Sequence, residues 1–365
     1  MTERAEVYLD EVLAAFGIDA KEMDAVRCGQ GHVNDTFIVT EPEGGRQFVV
    51  QRISQTAFKR PDQVMENVTG VTEYLSREIE KSGGGWKALR FLRPKAGGLF
   101  YTDRAGGPWR AYPFVGKTIC YQSVESPELF AASARAFGRF QRLLRDYPAQ
   151  TLHETIPRFH DTEDRLAKLK AAVAEDRMGR AGECRKEIQF FLDREADCSV
   201  VMRALREGVL PLRVTHNDTK LNNVLIDEDT GEGVCVIDLD TVMPGLAIND
   251  FGDSIRFGAN HSAEDETDLS KVNLDVSLFD VYTQAFLEGA GGTLTAREIE
   301  YLPWGAKLMT LECGMRFLTD YLEGDVYFHT SRPGQNLDRC RTQCKLVSDM
   351  EAHWDELAEI VRKYQ

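Results

Sequence analysis

The chain has no apolar run approaching ~20 residues, the length a membrane-spanning helix needs, and no C-x-x-C pair. The first absence excludes a transmembrane helix. The second leaves eight scattered cysteines (Cys28, Cys120, Cys184, Cys198, Cys235, Cys313, Cys340 and Cys344), several in apolar contexts. They read as free buried thiols of a reducing compartment, not as a disulfide framework or a zinc site. Basic residues are outnumbered, 44 Lys and Arg against 59 Asp and Glu, for a net charge of −15. That balance excludes a sequence-independent binder of nucleic acid or of anionic membranes, because both need a basic face. Internal repeats and low-complexity segments are absent, and the opening MTERAEVYLDEV lacks the signal-peptide pattern. A cytoplasmic globular protein is expected, and no protein partner is implied.

What is present concentrates in residues 214–240, VTHNDTKLNNVLIDEDTGEGVCVIDLD. His216, Asp218 and Asn223 stand in the spacing H-x-D-x-x-x-x-N, and Asp238 follows at the end of an apolar run. Two short apolar segments flank a turn-rich DEDTGEG, the pattern of a β-hairpin. Centring its turn near Thr230 pairs position 223 with roughly 237, which brings Asn223 and Asp238 together at the open end. An amide oxygen and two carboxylates at one point make a hard-oxygen site for Mg²⁺. Phosphoryl transfer needs this layout: a base for the incoming hydroxyl and oxygen ligands for the metal on the nucleotide.

These residues resemble the catalytic and metal motifs of the aminoglycoside phosphotransferase and choline kinase superfamily, whose fold is similar to that of protein kinases. The resemblance implies that Asp218 is the catalytic base, that Asn223 and Asp238 hold Mg²⁺, and that ATP is the phosphoryl donor. Lys220, two residues past Asp218, matches the lysine that protein kinases place near the transferred phosphate. A literal D-F-G at residues 250–252 is a decoy. It ends no apolar strand, so the metal is assigned to Asp238, and Asp250 is expected to cap a helix opening at Gly252 or to brace the catalytic loop.

The pattern upstream is β-rich. Residues 27–39 read as strand, glycine loop and strand, with Gly29 and Gly31 free to bring backbone N–H groups to phosphates. The next strand, residues 47–53, lacks the lysine that grips nucleotide phosphates in kinase folds. Gln51 stands in its place, with Arg52 as the alternative; Glu66 is expected to be solvated, with a pairing to Arg52 as its alternative. The run WRAYPFVG, residues 109–116, resembles the hinge between lobes, with Tyr112 and Phe114 at the adenine. Beyond it the chain reads as helical, with a helix opened by Ser126-Pro127 and closed at Tyr147-Pro148, and a capping box at Thr295 and Glu298. His153 and His160 read as loop structure. The expected architecture is α+β and bilobal: an N-lobe over residues 1–111, a hinge over 112–116 and a mainly helical C-lobe over 117–365.

Six longer stretches, at residues 31–37, 155–166, 212–225, 237–245, 250–259 and 312–328, resemble those superfamily members that phosphorylate the anomeric hydroxyl of N-acetylglucosamine and N-acetylgalactosamine. The partners implied are ATP and a neutral amino sugar. His32 and Asn34 beyond the glycine loop, Asp218, Phe257 as an apolar wall, Arg316 and Tyr327 are the expected acceptor contacts. For Arg316 an ion pair with Glu312, Asp320 or another carboxylate is the structural alternative. Two other functions stay open. One is another small-molecule kinase of the superfamily, for an aminoglycoside, choline or homoserine. The other is a nucleotide-binding pseudokinase or scaffold, suggested by the missing strand lysine.

Overall fold

A computed structural model describes residues 8–18, 24–27, 34–41 and 45–365. The first half is a five-stranded antiparallel sheet in the order β1-β2-β3-β5-β4: β1 (Asp24–Arg27), β2 (Asp35–Thr40), β3 (Gln47–Arg52), β4 (Tyr101–Thr102) and β5 (Pro108–Pro113). The sheet is covered on both faces, which explains why β3 and β5 are apolar without clean alternation. Phe48, Val50, Trp109 and Ala111 face outward onto helix α1 (Leu9–Phe16). Leu9, Val12, Leu13 and Phe16 of that helix recur at helical spacing and are all buried. Each such burial contributes about 1.5–3 kcal/mol, which holds so short a helix in place. Gly17 then ends it in the left-handed conformation, φ 74°.

On the inner face Val49 and Tyr112 join a second, larger core. Helix α2 (Pro61–Lys81) belongs to this one, through Val64, Val68, Val71 and Leu75. The chain leaves the sheet at Pro113 and enters a small three-stranded sheet through β6 (Thr118–Ile119), which pairs with the first strand of the hairpin. Strands β8 (Val224–Asp227) and β9 (Gly233–Val236) form the expected hairpin, with Val224 opposite Val236 and the N–H of Ile237 donating to Asn223 O at 2.9 Å. A further pair, β7 (Arg213–Thr215) and β10 (Met243–Gly245), brackets it in sequence.

The rest is helical: α3 (Pro127–Leu143), α4 (Thr162–Glu175), α5 (Arg185–Leu192), α6 (Glu195–Cys198), α7 (Val200–Arg206), α8 (Ala247–Gly258), α9 (Val276–Ala290), α10 (Ala296–Glu300), α11 (Leu302–Glu323), α12 (Gln335–Ala352) and α13 (Trp354–Lys363). Ser126 caps α3 by accepting from Leu129 N at 3.2 Å, but the helix ends at Leu143, one turn before the expected Tyr147-Pro148. The Thr295–Glu298 capping box is present on both sides of the exchange. Helices α8 and α11 touch backbone to backbone where Gly252 meets Gly305; a Cβ on either would overlap a main-chain carbonyl. That contact holds α8 against the long helix α11 and so sets where the residues on the two come together. Among the described residues, no helix is long and apolar enough to cross a membrane.

Candidate active site

The loop that follows β7 carries His216, Asn217, Asp218 and Thr219, and almost every polar group in it is spoken for. Asp250 is fully buried and accepts the N–H of His216 at 3.0 Å, the N–H of Asn217 at 2.8 Å and the Gln141 amide at 2.7 Å. The D-F-G aspartate therefore braces the catalytic loop. It caps nothing, because α8 opens at Ala247 and not at Gly252. Asn217 is left-handed, φ 65°, and its amide donates to Thr241 O at 2.8 Å. Thr241 returns a hydroxyl to His216 O at 2.6 Å. His216 donates from Nε2 to Ile237 O at 2.8 Å and accepts the Asp218 N–H on Nδ1 at 3.3 Å, which fixes the neutral Nε2–H tautomer. The loop is thus tied to the end of β9 and to the turn beyond it.

Asp218 emerges from this frame half-exposed, with Lys220 Nζ 2.9 Å from its Oδ1. Crowding by protein works to raise its pKa, but Lys220, with Arg256 behind it, outweighs that and holds it below the ordinary carboxylate value. Asn223 spends its amide N–H on Asp218, donating to its main-chain oxygen at 2.7 Å and its Oδ2 at 3.2 Å. Asp238, on the far side of the hairpin end, is left-handed at φ 56°, a conformation costing a residue with a Cβ about 1–2 kcal/mol. Its side chain is exposed, and no described residue donates to its carboxylate. The protein walls around it, then Asp240 and Asp218, push its carboxyl up to about 6. A divalent cation fits this donor set. It would meet an amide oxygen and an unsatisfied carboxylate, and would relieve the crowding of like charges.

Gln51, in the place of the strand lysine, donates to Thr36 Oγ1 at 3.0 Å and accepts from Arg110 Nε at 2.9 Å. Arg110 is directly opposite it on β5 and is buried, and its guanidinium is paired with Asp240. Asn34, expected at the acceptor, spends both ends of its amide in the protein: it donates to Asp240 Oδ2 at 2.6 Å and accepts from Ser54 N at 3.0 Å. Glu66 does not reach Arg52 but bonds His153 Nε2 at 2.6 Å. Tyr112 is buried in β5 with its ring edge on Phe91, and the N–H of Phe114 donates to Gln47 O at 2.9 Å, so that amide is closed to adenine. Gly29, Gly31 and His32 lie outside the described residues.

Neither Glu312 nor Asp320, expected as alternative partners of Arg316, pairs with it. Glu312 goes to His160 Nδ1 at 3.0 Å and lies near Arg165, while Asp320 accepts the backbone N–H groups of Val326, Tyr327 and Phe328 at 2.7–2.9 Å. Arg316 has no carboxylate partner among the described residues. Its guanidinium sits among the rings of Phe159, Tyr327 and Phe328, 5.4–5.7 Å from each centroid. Tyr327 is 68% exposed, and Phe257 on α8 is half-buried. His160 lies in a turn, as read from the sequence, and bridges Glu312 to the loop after β7: its Nε2 is 3.2 Å from Asn217 O, next to Asp218. Arg256 was not singled out; it pairs with Asp253, which in turn accepts the N–H of Thr219. The signal for both was a charged residue inside the apolar run DFGDSIRFGA.

A cavity of about 490 Å³ behind the hairpin, lined by Arg135, Arg139 and Asp227 among others, contains none of these residues. The carboxyls with shifted pKa, Asp218 and Asp238, lie away from it, at the loop after β7 and the end of β9, and such perturbed groups mark a candidate site.

Comparison with known proteins bears on the fold and the family. The chain superposes on an ethanolamine kinase from Plasmodium vivax with a TM-score of 0.58 at 13% identity, covering 93% of this chain and 89% of that one. A choline kinase from Cryptosporidium parvum gives 0.59 at 12% identity, over 100% and 99% of the two chains. A spectinomycin phosphotransferase in complex with ADP and spectinomycin gives 0.52 at 13% identity, over 98% of each. At such identities the likeness shows the kinase-like fold alone. The sequence itself goes further: residues 24–278 match the phosphotransferase enzyme family, and the chain belongs to it.

Proposed function

We propose that this chain transfers the terminal phosphoryl group of ATP to the anomeric hydroxyl of an N-acetylhexosamine, acting as an N-acetylhexosamine 1-kinase. The observation that carries the choice of acceptor is Arg316. A pocket for choline or an aminoglycoside presents carboxylates or an aromatic cage to a cation. Here the rings of Phe159, Tyr327 and Phe328 already surround a cation of the protein's own, and Glu312 and Asp320 are committed to protein partners. An arginine without a carboxylate suits an acceptor rich in hydroxyl and carbonyl oxygens and repels a cationic one.

In this reading Asp218 orients the anomeric hydroxyl and takes its proton. Its low pKa keeps it ionised, so it acts by positioning and by accepting a proton already leaving. Lys220 turns from Asp218 towards the transferred group as that group gathers charge, a charge–charge contact formed where charge develops. Asn223 and Asp238 would hold Mg²⁺, whose contribution when bound is to offset the charge of the nucleotide phosphates. Arg316 and Tyr327 hold the sugar from the opposite side. Asn34 serves by fixing Asp240, not by touching the acceptor.

The test is ATP consumption with Mg²⁺ over a panel of N-acetylglucosamine, N-acetylgalactosamine, galactose, choline, homoserine and kanamycin. Phosphorus–carbon coupling in NMR reads the position of the phosphate. Phosphate at the anomeric carbon of the N-acetylated sugars is the expected result. Turnover confined to choline or kanamycin would overturn the acceptor assignment, and binding of ATP without turnover on any acceptor would favour the scaffold.

A further inference from the structure

Where folds of this kind carry a lysine on the third strand, this chain carries Gln51, and the positive charge lies one strand over. Arg110 faces inward from β5, opposite Gln51 in register, with its side chain and that of Asp240 only 3% and 4% exposed. Gln51 accepts from its Nε, and the guanidinium donates to Asp240 Oδ1. The other oxygen of Asp240 takes the Asn34 amide at 2.6 Å, so both oxygens are held from the sheet. Asp240 lies in the short 3-10 turn Leu239–Thr241, whose first flanking residue is the left-handed Asp238. From the helix side, Asn67 of α2 donates to Val242 O at 3.0 Å, just past the same turn.

We propose that Arg110 is a positioning residue for the metal ligand: oriented by Gln51, it anchors Asp240 and so sets Asp238, two residues away, at the metal position. The inference rests on the reading of Asp238 as a metal ligand given above. Arg110 is too buried, and too fully committed to Gln51 and Asp240, to grip phosphates itself. Its effect reaches the nucleotide through the metal. The link between sheet and metal turn passes to Arg110 and Asp240, and the charge beside the transferred group falls to Lys220.

The experiment uses the full chain and a non-hydrolysable ATP analogue, with affinity measured by calorimetry in Mg²⁺ and again in EDTA, and Mn²⁺ binding followed by electron spin resonance. Arg110→Met and Asp240→Asn are each expected to weaken analogue binding in Mg²⁺ by about tenfold or more, with metal-free binding held within about threefold. Arg110→Lys should fall between, since an ammonium cannot hold Gln51 and Asp240 together. Loss of the same size with and without metal would overturn the inference in favour of a direct phosphate grip or a general loss of structure, and so would metal-dependent binding left unchanged. If Arg110→Met does not fold by circular dichroism, Asp240→Asn and Arg110→Lys decide by the same criterion. No acceptor is present, so an error about the sugar leaves the test intact. Nucleotide binding by the unaltered chain that shows no metal dependence would remove the reading of Asp238 and this inference with it.

Discussion

Lys220 Nζ lies 2.9 Å from Oδ1 of Asp218, so the carboxylate proposed as base and the neighbouring cation neutralise each other before any substrate arrives. The pairing holds Asp218 ionised and keeps Lys220 protonated, its pKa raised chiefly by that carboxylate. Asp218→Asn keeps the shape and removes the base. We expect kcat to fall by about 10²–10⁴-fold, as for loss of a general base, with analogue affinity little changed. A coupled ADP-release assay beside calorimetry checks it, and near-normal turnover would remove Asp218 from its role.

Arg316→Met keeps much of the apolar stem and deletes the guanidinium from its ring of aromatics. A hydrogen bond from a charged donor is worth about 1.5–3 kcal/mol, so KM for the N-acetylhexosamine should rise roughly ten- to a hundredfold. KM for ATP should stay as it was. Equal rises in both would mean that Arg316 supports the lobe and does not touch the acceptor.

His160 sits between Glu312 and the carbonyl of Asn217. Burial works against its charge, but Glu312 outweighs it, and its pKa in the folded protein is raised above the ordinary value. Folding therefore favours the protonated ring. The stabilisation is complete below the unfolded value of about 6.5 and fades as pH rises through the higher folded one. Melting temperatures of the wild type and of His160→Asn should converge between pH 6 and pH 9. A gap that is constant or widens with pH would contradict the pairing.

Gly252→Ala places a methyl group against the Gly305 carbonyl across the α8–α11 contact. Alanine gains up to about 1 kcal/mol in helix propensity. Main chain cannot rotate out of the way as a side chain can, so an overpacking cost of about 1–3 kcal/mol should prevail. Chemical denaturation reads the net loss. Because α8 carries Asp250 and Asp253, turnover should drop in the same variant at temperatures where it is still folded.

The residues that were legible from the sequence are those whose partners are near in the chain. The backbone of Asn223 is bonded to that of Ile237, beside Asp238, because two short apolar strands flank a turn, and α1, α2 and α3 announce themselves by apolar stripes at helical spacing. Arg110 was not legible, because its partner Asp240 is 130 positions away and strand periodicity says nothing about which distant carboxylate a cation will find. Its only trace was an arginine in the middle of the apolar run WRAYPF, which invites a reading as hinge strand. His160 and Glu312, 152 positions apart, were hidden for the same reason. Asp250 was legible in part: its D-F-G ends no apolar strand, which set the metal reading aside and left capping or bracing, and the helix start and the donors around the carboxylate assign it to bracing.

The division of apolar residues into two clusters gives the molecule unequal halves in stability. The outer face of the sheet rests on α1 and a handful of side chains from Leu9 to Ala111, whereas α2 is sealed into the much larger core of the helical half. Local opening should therefore start at α1 and the outer strands, exchanging backbone protons with solvent while α2 and the catalytic loop stay protected. A nucleotide held by that sheet would bind only its closed form, and so would slow the exchange by mass action. The weakest-held part of the molecule is then the part whose order the nucleotide reports.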